Sequence, residues 1–144
     1  MASNSTGDHM LHADDDQARE KFGSVLKHKN MSEILMDHKL AALGDAYVNF
    51  IYSMALSRRT GSPQGAKVQS RVLAEALKRA NLRELLPART DRHKQADGAE
   101  ALLVYAWIKG LMPLEDAVSI LYQHEKPIEA FYSLILATKK RLHL

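Results

Sequence analysis

Leu43 to Arg59 reads LGDAYVNFIYSMALSRR, and the fold turns on how this stretch is read. It is apolar on almost every side at helical spacing, yet Asp45 stands near its start, directly after Gly44. A helix apolar nearly all round belongs at the centre of a domain. A lone carboxylate there is costly unless it is paired, hydrogen-bonded or bound to a metal. Residues four apart share a helix face, so Asp45, Asn49, Ser53 and Ser57 form one polar line, and Asp37 continues it upward. The expectation is a central helix with a single wet seam.

Working outward, the chain shows helical periods and no strand alternation. Asp14 to Lys27 reads as a short amphipathic helix with an acidic first turn. Ser32 opens the long helix, which runs to about Ser57. The stretch RRTGSPQGA is a loop, punctuated by two glycines and a proline. From Lys67 to Asn81, Val68, Val72, Leu73, Ala76, Leu77 and Ala80 line one helical face. Pro87 closes the turn NLRELLP, and the basic link ARTDRHKQ leads to a second nearly all-apolar helix, Ala96 to Lys109, ended by Gly110. Pro113 and Pro127 start two more helices, each proline suiting a first helical turn. The fold class expected is all-α.

The chain has 144 residues, one domain's worth. The absence of cysteine excludes disulfides and thiolate metal sites and points to a reducing, cytoplasmic location. The apolar run of the long helix is broken by Asp45, Asn49 and Ser53, so no membrane partner is expected. Residues 1–12 lack the apolar core of a signal peptide and read as a disordered leader, with a His9-Met10 junction of the kind cloning leaves. Residues 13–144 read as a single domain. Charge is unevenly placed: residues 58–94 hold ten Lys/Arg and three acids, whereas the remainder holds ten and fourteen. A basic middle between acidic flanks suits a polyanion, and equally a solvated arginine-rich helix face. The candidate polyanion contacts are Arg58, Arg59, Lys67, Arg71, Lys78 and Arg79.

The second apolar helix begins ADGAEALLVYAW, with Asp97 and Glu100 three apart and therefore neighbours on one face. Small residues surround the acids on both helices: Ala41, Ala42, Gly44 and Ala46 on one, Ala96, Gly98, Ala99 and Ala101 on the other. Glycine inside a helix costs about 1 kcal/mol against alanine, so Gly44 suits a close approach between helices. If the helices cross there, three carboxylates converge, and such a group needs a cation between them or protons on them. Oxygen ligands without cysteine favour Mg²⁺ or Mn²⁺ over zinc. Two structural readings compete. Asp97 and Glu100 have the spacing of a capping box, and Asp45 alone could be satisfied by Asn49. His93, four residues before Asp97, is either solvated or close to a phosphate. Tyr47, Phe50, Tyr105 and Trp107 read as core or dimer interface, and Asp37 as a surface charge.

At these residues the chain resembles the ribonuclease III catalytic domain. That family's Leu-Gly-Asp-Ala helix stands here as KLAALGDAYVNFIYSMALSRR, and its Ala-Asp-x-x-Glu-Ala-Leu motif as ADGAEALLVYAWIKG. The likeness covers roughly Ser32 to Leu121. It implies an all-α, ribonuclease III endonuclease-like helical bundle. It also implies that Asp45, Asp97 and Glu100 are three of the family's four metal-site acids, with Asp45 and Glu100 catalytic. The fourth acid lies one turn before the Gly-Asp aspartate, where this chain has Ala41. The mini-ribonuclease III branch, which lacks a double-stranded-RNA-binding domain, also has a small apolar residue there. The chain is similar to small archaeal ribonuclease III-like proteins as well.

The resemblance implies a homodimer with a basic valley holding double-stranded or structured RNA through phosphates and 2′-hydroxyls. It implies Mg²⁺, with Mn²⁺ as a substitute and no organic cofactor, and products ending in 5′-phosphate and 3′-hydroxyl. A non-catalytic member of the same fold that binds structured RNA or a ribonucleoprotein is the alternative, favoured by Ala41. A plain helical interaction protein is a third reading, opposed by the basic middle. A helical nucleotide pyrophosphohydrolase would need a second acidic pair, and Asp45 has no acid three residues away.

Overall fold

The computed structural model describes residues 16–142, and these hold seven α-helices and no strand. The expected leader, residues 1–12, lies outside the described residues. The helices are α1 (16–23), α2 (Met31–Leu35), α3 (His38–Thr60), α4 (Ser70–Arg79), α5 (Arg92–Ile108), α6 (Leu114–Tyr122) and α7 (Pro127–Arg141). A 3₁₀ turn, Arg83–Leu85, follows α4. No helix of the described residues is long and apolar enough to cross a membrane.

The central helix is α5, not α3. Every residue from Gly98 to Ala106 is buried; α3, α4, α2 and α7 pack against α5, and α6 bridges α3 and α7. A helix apolar on all sides needs cover on all sides, and α5 obtains it. On α3, by contrast, Leu40, Ala41, Gly44, Val48, Ile51 and Ala55 face inward, while Leu43, Phe50 and Met54 remain exposed.

The starts of α2, α3 and α5 follow side-chain caps. The expected single helix from Ser32 is two, because Asp37 breaks it: its Oδ1 accepts from Leu40 N at 2.9 Å and caps α3. Asp37 is therefore no member of the polar line and no free surface charge. Its other oxygen lies 2.8 Å from His28 Nε2. These contacts outweigh partial desolvation and hold the Asp37 carboxyl below its ordinary range. In the same way Asp91, accepting from Lys94 N at 2.9 Å, starts α5 four residues before the expected Ala96. Asp97 consequently sits inside the helix, and the capping-box reading of Asp97 and Glu100 is overturned. Two glycines in the left-handed region, Gly61 (φ 73°) and Gly110 (φ 76°), follow α3 and α5.

The closest approach in the core is between Gly44 and Glu100. A Cβ on Gly44 would lie 2.5 Å from the Glu100 carbonyl carbon and nearer still to its oxygen. Backbone, not a flexible side chain, occupies that space, so α3 and α5 touch only because position 44 has no side chain. Gly44→Ala should therefore destabilise the protein by about 2 kcal/mol or more despite alanine's better helix propensity. In thermal unfolding followed by circular dichroism this corresponds to a Tm lower by about 5–10 °C. An unchanged Tm would mean that the crossing is looser than described.

Candidate metal centre

The polar line of α3 is a zipper for the loop that follows. Ser57 Oγ accepts from Gln64 N at 2.8 Å and donates to Gln64 O at 3.3 Å. Ser53 Oγ does the same with Ala66, at 2.9 and 3.2 Å. Asn49 Oδ1 accepts from Val68 N at 2.8 Å. Each step of four residues back along α3 meets a step of two residues forward along the loop. The match is geometric: four helical residues rise about 6 Å, and two extended residues span about 6.6 Å. The seam thus satisfies loop backbone that would otherwise need water. Its last member, Asn49, turns its amide to Asp45 Oδ1 at 3.4 Å.

Across the Gly44 crossing stands Glu100, the one buried carboxylate among the described residues, 7 % exposed. Its Oε2 is buried without a hydrogen-bond partner. Burial first, then the neighbouring carboxylate of Asp45 and the charge of Asp97, push its carboxyl up to about 8; Lys67 pulls the other way. Asp45 is exposed and Asp97 half-buried. Among the described residues no three His, Asp or Glu side chains are closed into a metal-ligand cluster as they stand. The three expected acids nonetheless share one neighbourhood, since both aspartates act on Glu100. Asp45 is exposed, and its Oδ1 accepts from Asn49 at 3.4 Å. A buried, unpartnered carboxylate oxygen flanked by two acids suits a hard divalent cation. The residues fit the group.

The six expected polyanion contacts fare differently. Lys67 and Arg71 line one cleft with Gln69, Ser70, Arg92 and His93. Its wall includes the start of α4, which has no side-chain cap. Arg71 Nε donates to Gln69 at 2.8 Å, and Lys67 has no ion-pair partner among the described residues. Arg79 pairs with Glu75 at 3.2 Å on the same helix, and Lys78 is exposed. Arg58 lies 4.0 Å over the Tyr122 ring, while Arg59 donates to the carbonyls of Tyr122 and His124 and so caps α6. These two arginines hold α6 against α3. Arg92 belongs to the cleft but was not among the expected contacts. Its basic linker was visible in the sequence, whereas its place beside Lys67 depends on α5 beginning at residue 92.

A family model described as Ribonuclease III matches residues 38–134, two thirds of the chain, and spans α3 to most of α7. No curated protein matches it.

The raised Glu100 carboxyl has a consequence for stability. In the folded, metal-free protein Glu100 keeps its proton up to about pH 8, whereas in the unfolded chain it loses it near pH 4.3. The folded state binds the extra proton between those values, so stability falls as pH rises through that window. With EDTA present, Tm should drop from pH 5 to pH 8, and Glu100→Gln should flatten the drop. Millimolar Mg²⁺ should restore the wild type at pH 8. A pH profile identical in wild type and Glu100→Gln would show that Glu100 is not the buried titrating acid.

Proposed function

The chain belongs to the ribonuclease III family, and on that premise we propose a divalent-metal-dependent endoribonuclease acting on double-stranded or structured RNA. One observation carries the reading: Glu100 is buried at a helix crossing with an unpartnered oxygen, and Asp45 and Asp97 both act on it. Structural acids are normally satisfied by donors. This one is surrounded by other acids, which is a preparation for a cation.

Asp45, Asp97 and Glu100 would hold Mg²⁺. The ion, when bound, supplies activation of water for in-line attack on the phosphodiester and stabilisation of the leaving oxygen. The chain's own residues do the rest. The Asn49 amide orients Asp45. The Ser53 and Ser57 rungs hold the loop that leads to Lys67, whose charge acts on Glu100, and to Arg71 in the same cleft as Lys67. These cations, with Arg92, attract the RNA backbone without reading sequence. Glu100 gives up its proton when a cation arrives, so binding should strengthen with pH below about 8.

The assembly proposed is a homodimer through α3. Leu43, Phe50 and Met54 are 43 %, 52 % and 44 % exposed and recur at seven- and four-residue intervals, which is one stripe of the helix. Tyr47, beside that stripe, stacks on Trp107 with ring centroids 5.9 Å apart, and its hydroxyl is buried without a partner. A second copy would cover the stripe and place two acid centres across one basic surface. Phe50→Glu should yield a monomer by multi-angle light scattering with unchanged helicity. A wild-type monomer at micromolar concentration would remove the dimer from the account.

Ala41, 5 % exposed and one turn before Asp45, favours the second reading, a fold member that binds structured RNA without cutting it. Glu100→Gln separates the two. It keeps the shape and can still hydrogen-bond Asp45, but removes a ligand charge. Cleavage of duplex RNA with Mg²⁺ should fall by about 100-fold or more, while duplex binding measured in Ca²⁺ persists. Normal cleavage by Glu100→Gln would refute the acid centre. An inert wild type that becomes active as Ala41→Glu would identify a degenerate nuclease kept for binding.

A further inference from the structure

We propose that Lys67, in place of a second divalent ion, supplies the second positive charge at the Asp45, Asp97 and Glu100 centre and holds a non-bridging oxygen of the phosphate being cleaved. The proposal rests on the nuclease reading above and adds a catalytic residue to it.

The zipper fixes where Lys67 stands. Ala66 before it is bonded twice to Ser53, and Val68 after it is bonded to Asn49, so the backbone is held on both sides of the lysine. The Asn49 side chain that holds Val68 also reaches Asp45. One amide therefore sets the lysine's backbone and one of the acids relative to each other. Lys67 is exposed, makes no hydrogen bond or ion pair among the described residues, and opens into the cleft with Arg71, Arg92 and His93. Its charge reaches Glu100 across the α3–α5 crossing. A lysine anchored this firmly, with no partner of its own, is available to a ligand.

Charge balance gives it a task. An acid at position 41 would make four carboxylates, which two divalent ions neutralise. With Ala41 there are three, and one divalent ion with one ammonium neutralises them. Two ions beside an ammonium would leave an excess of two positive charges in a partly buried place, where such an excess is poorly screened. Two-metal sites stabilise both the attacking and the leaving oxygen. Here the ammonium takes over part of that duty, pulling electron density from the phosphorus as charge builds on its oxygens. Lys67 forms and breaks no bond. Its three donors and flexible stem suit an oxygen that moves during in-line displacement.

The test is equilibrium Mn²⁺ binding to metal-free protein, by electron paramagnetic resonance, paired with single-turnover cleavage of duplex RNA. It uses wild type, Lys67→Gln, Lys67→Arg, Lys140→Gln and Glu100→Gln. Wild type should take one Mn²⁺ per protomer. Lys67→Gln should bind it roughly five- to tenfold tighter, because a like charge is gone. The same variant should cleave about 100-fold more slowly, with only a few-fold loss of duplex binding in Ca²⁺. Lys67→Arg should keep the wild-type Mn²⁺ affinity and recover part of the rate, and Lys140→Gln, an exposed lysine near the end of α7, should change neither quantity. Two Mn²⁺ of similar affinity in wild type, or a Lys67→Gln protein indistinguishable from Lys140→Gln, would overturn the proposal. If Glu100→Gln weakens Mn²⁺ binding while Lys67→Gln does nothing, only the lysine's role fails. If Glu100→Gln leaves Mn²⁺ binding intact, the acid centre itself fails.

Discussion

The contact between Gly44 and the backbone of Glu100 is the constraint on which the rest depends. Because no side chain stands at position 44, α3 meets the backbone of Glu100 on α5 directly, with Asp45 the next residue along α3. The approach also buries the Glu100 carboxyl. The absent methyl group at position 44 therefore lets the two helices that carry the acids meet, where Glu100 is buried. Packing and chemistry are served by the same few atoms.

From that crossing, α3 acts in three directions. Its inner face packs on α5, its polar seam zips the loop 62–68 into place, and its third face exposes the stripe Leu43, Phe50 and Met54. A buried acid without a donor is ordinarily a fault in a fold. Holding its proton to about pH 8 makes Glu100 tolerable in the metal-free state and leaves it exchangeable for a cation. This is the tension between stability and function expected where a fold keeps strain at its site.

Much of this was legible in the sequence. The all-α class, the two apolar helices, the loop at TGSPQG and the starts of α6 and α7 follow from period and from glycine and proline placement. The small residues around Asp45, Asp97 and Glu100 made a helix crossing there legible, although among the described residues the three acids are not closed into one ligand cluster. Boundaries were not, wherever an aspartate did the work of a cap: Asp37 and Asp91 each moved a helix start. A capping box and a mid-helix Asp-x-x-Glu look identical until the helix start is known. The purpose of the polar seam was hidden too, because it pairs side chains with the backbone of residues whose identity hardly matters. The rank of the two apolar helices was also reversed, since composition does not tell which one its neighbours will enclose.

The central claim is that these three carboxylates make a nuclease that depends on a divalent ion. The most direct measurement is end-group analysis of long duplex RNA incubated with pure wild-type protein, with Mg²⁺ and with EDTA. The account predicts shortened duplexes carrying 5′-phosphate and 3′-hydroxyl ends with Mg²⁺ and intact RNA with EDTA. Equal cleavage in EDTA, or bound but uncut duplex at every Mg²⁺ concentration, would contradict it.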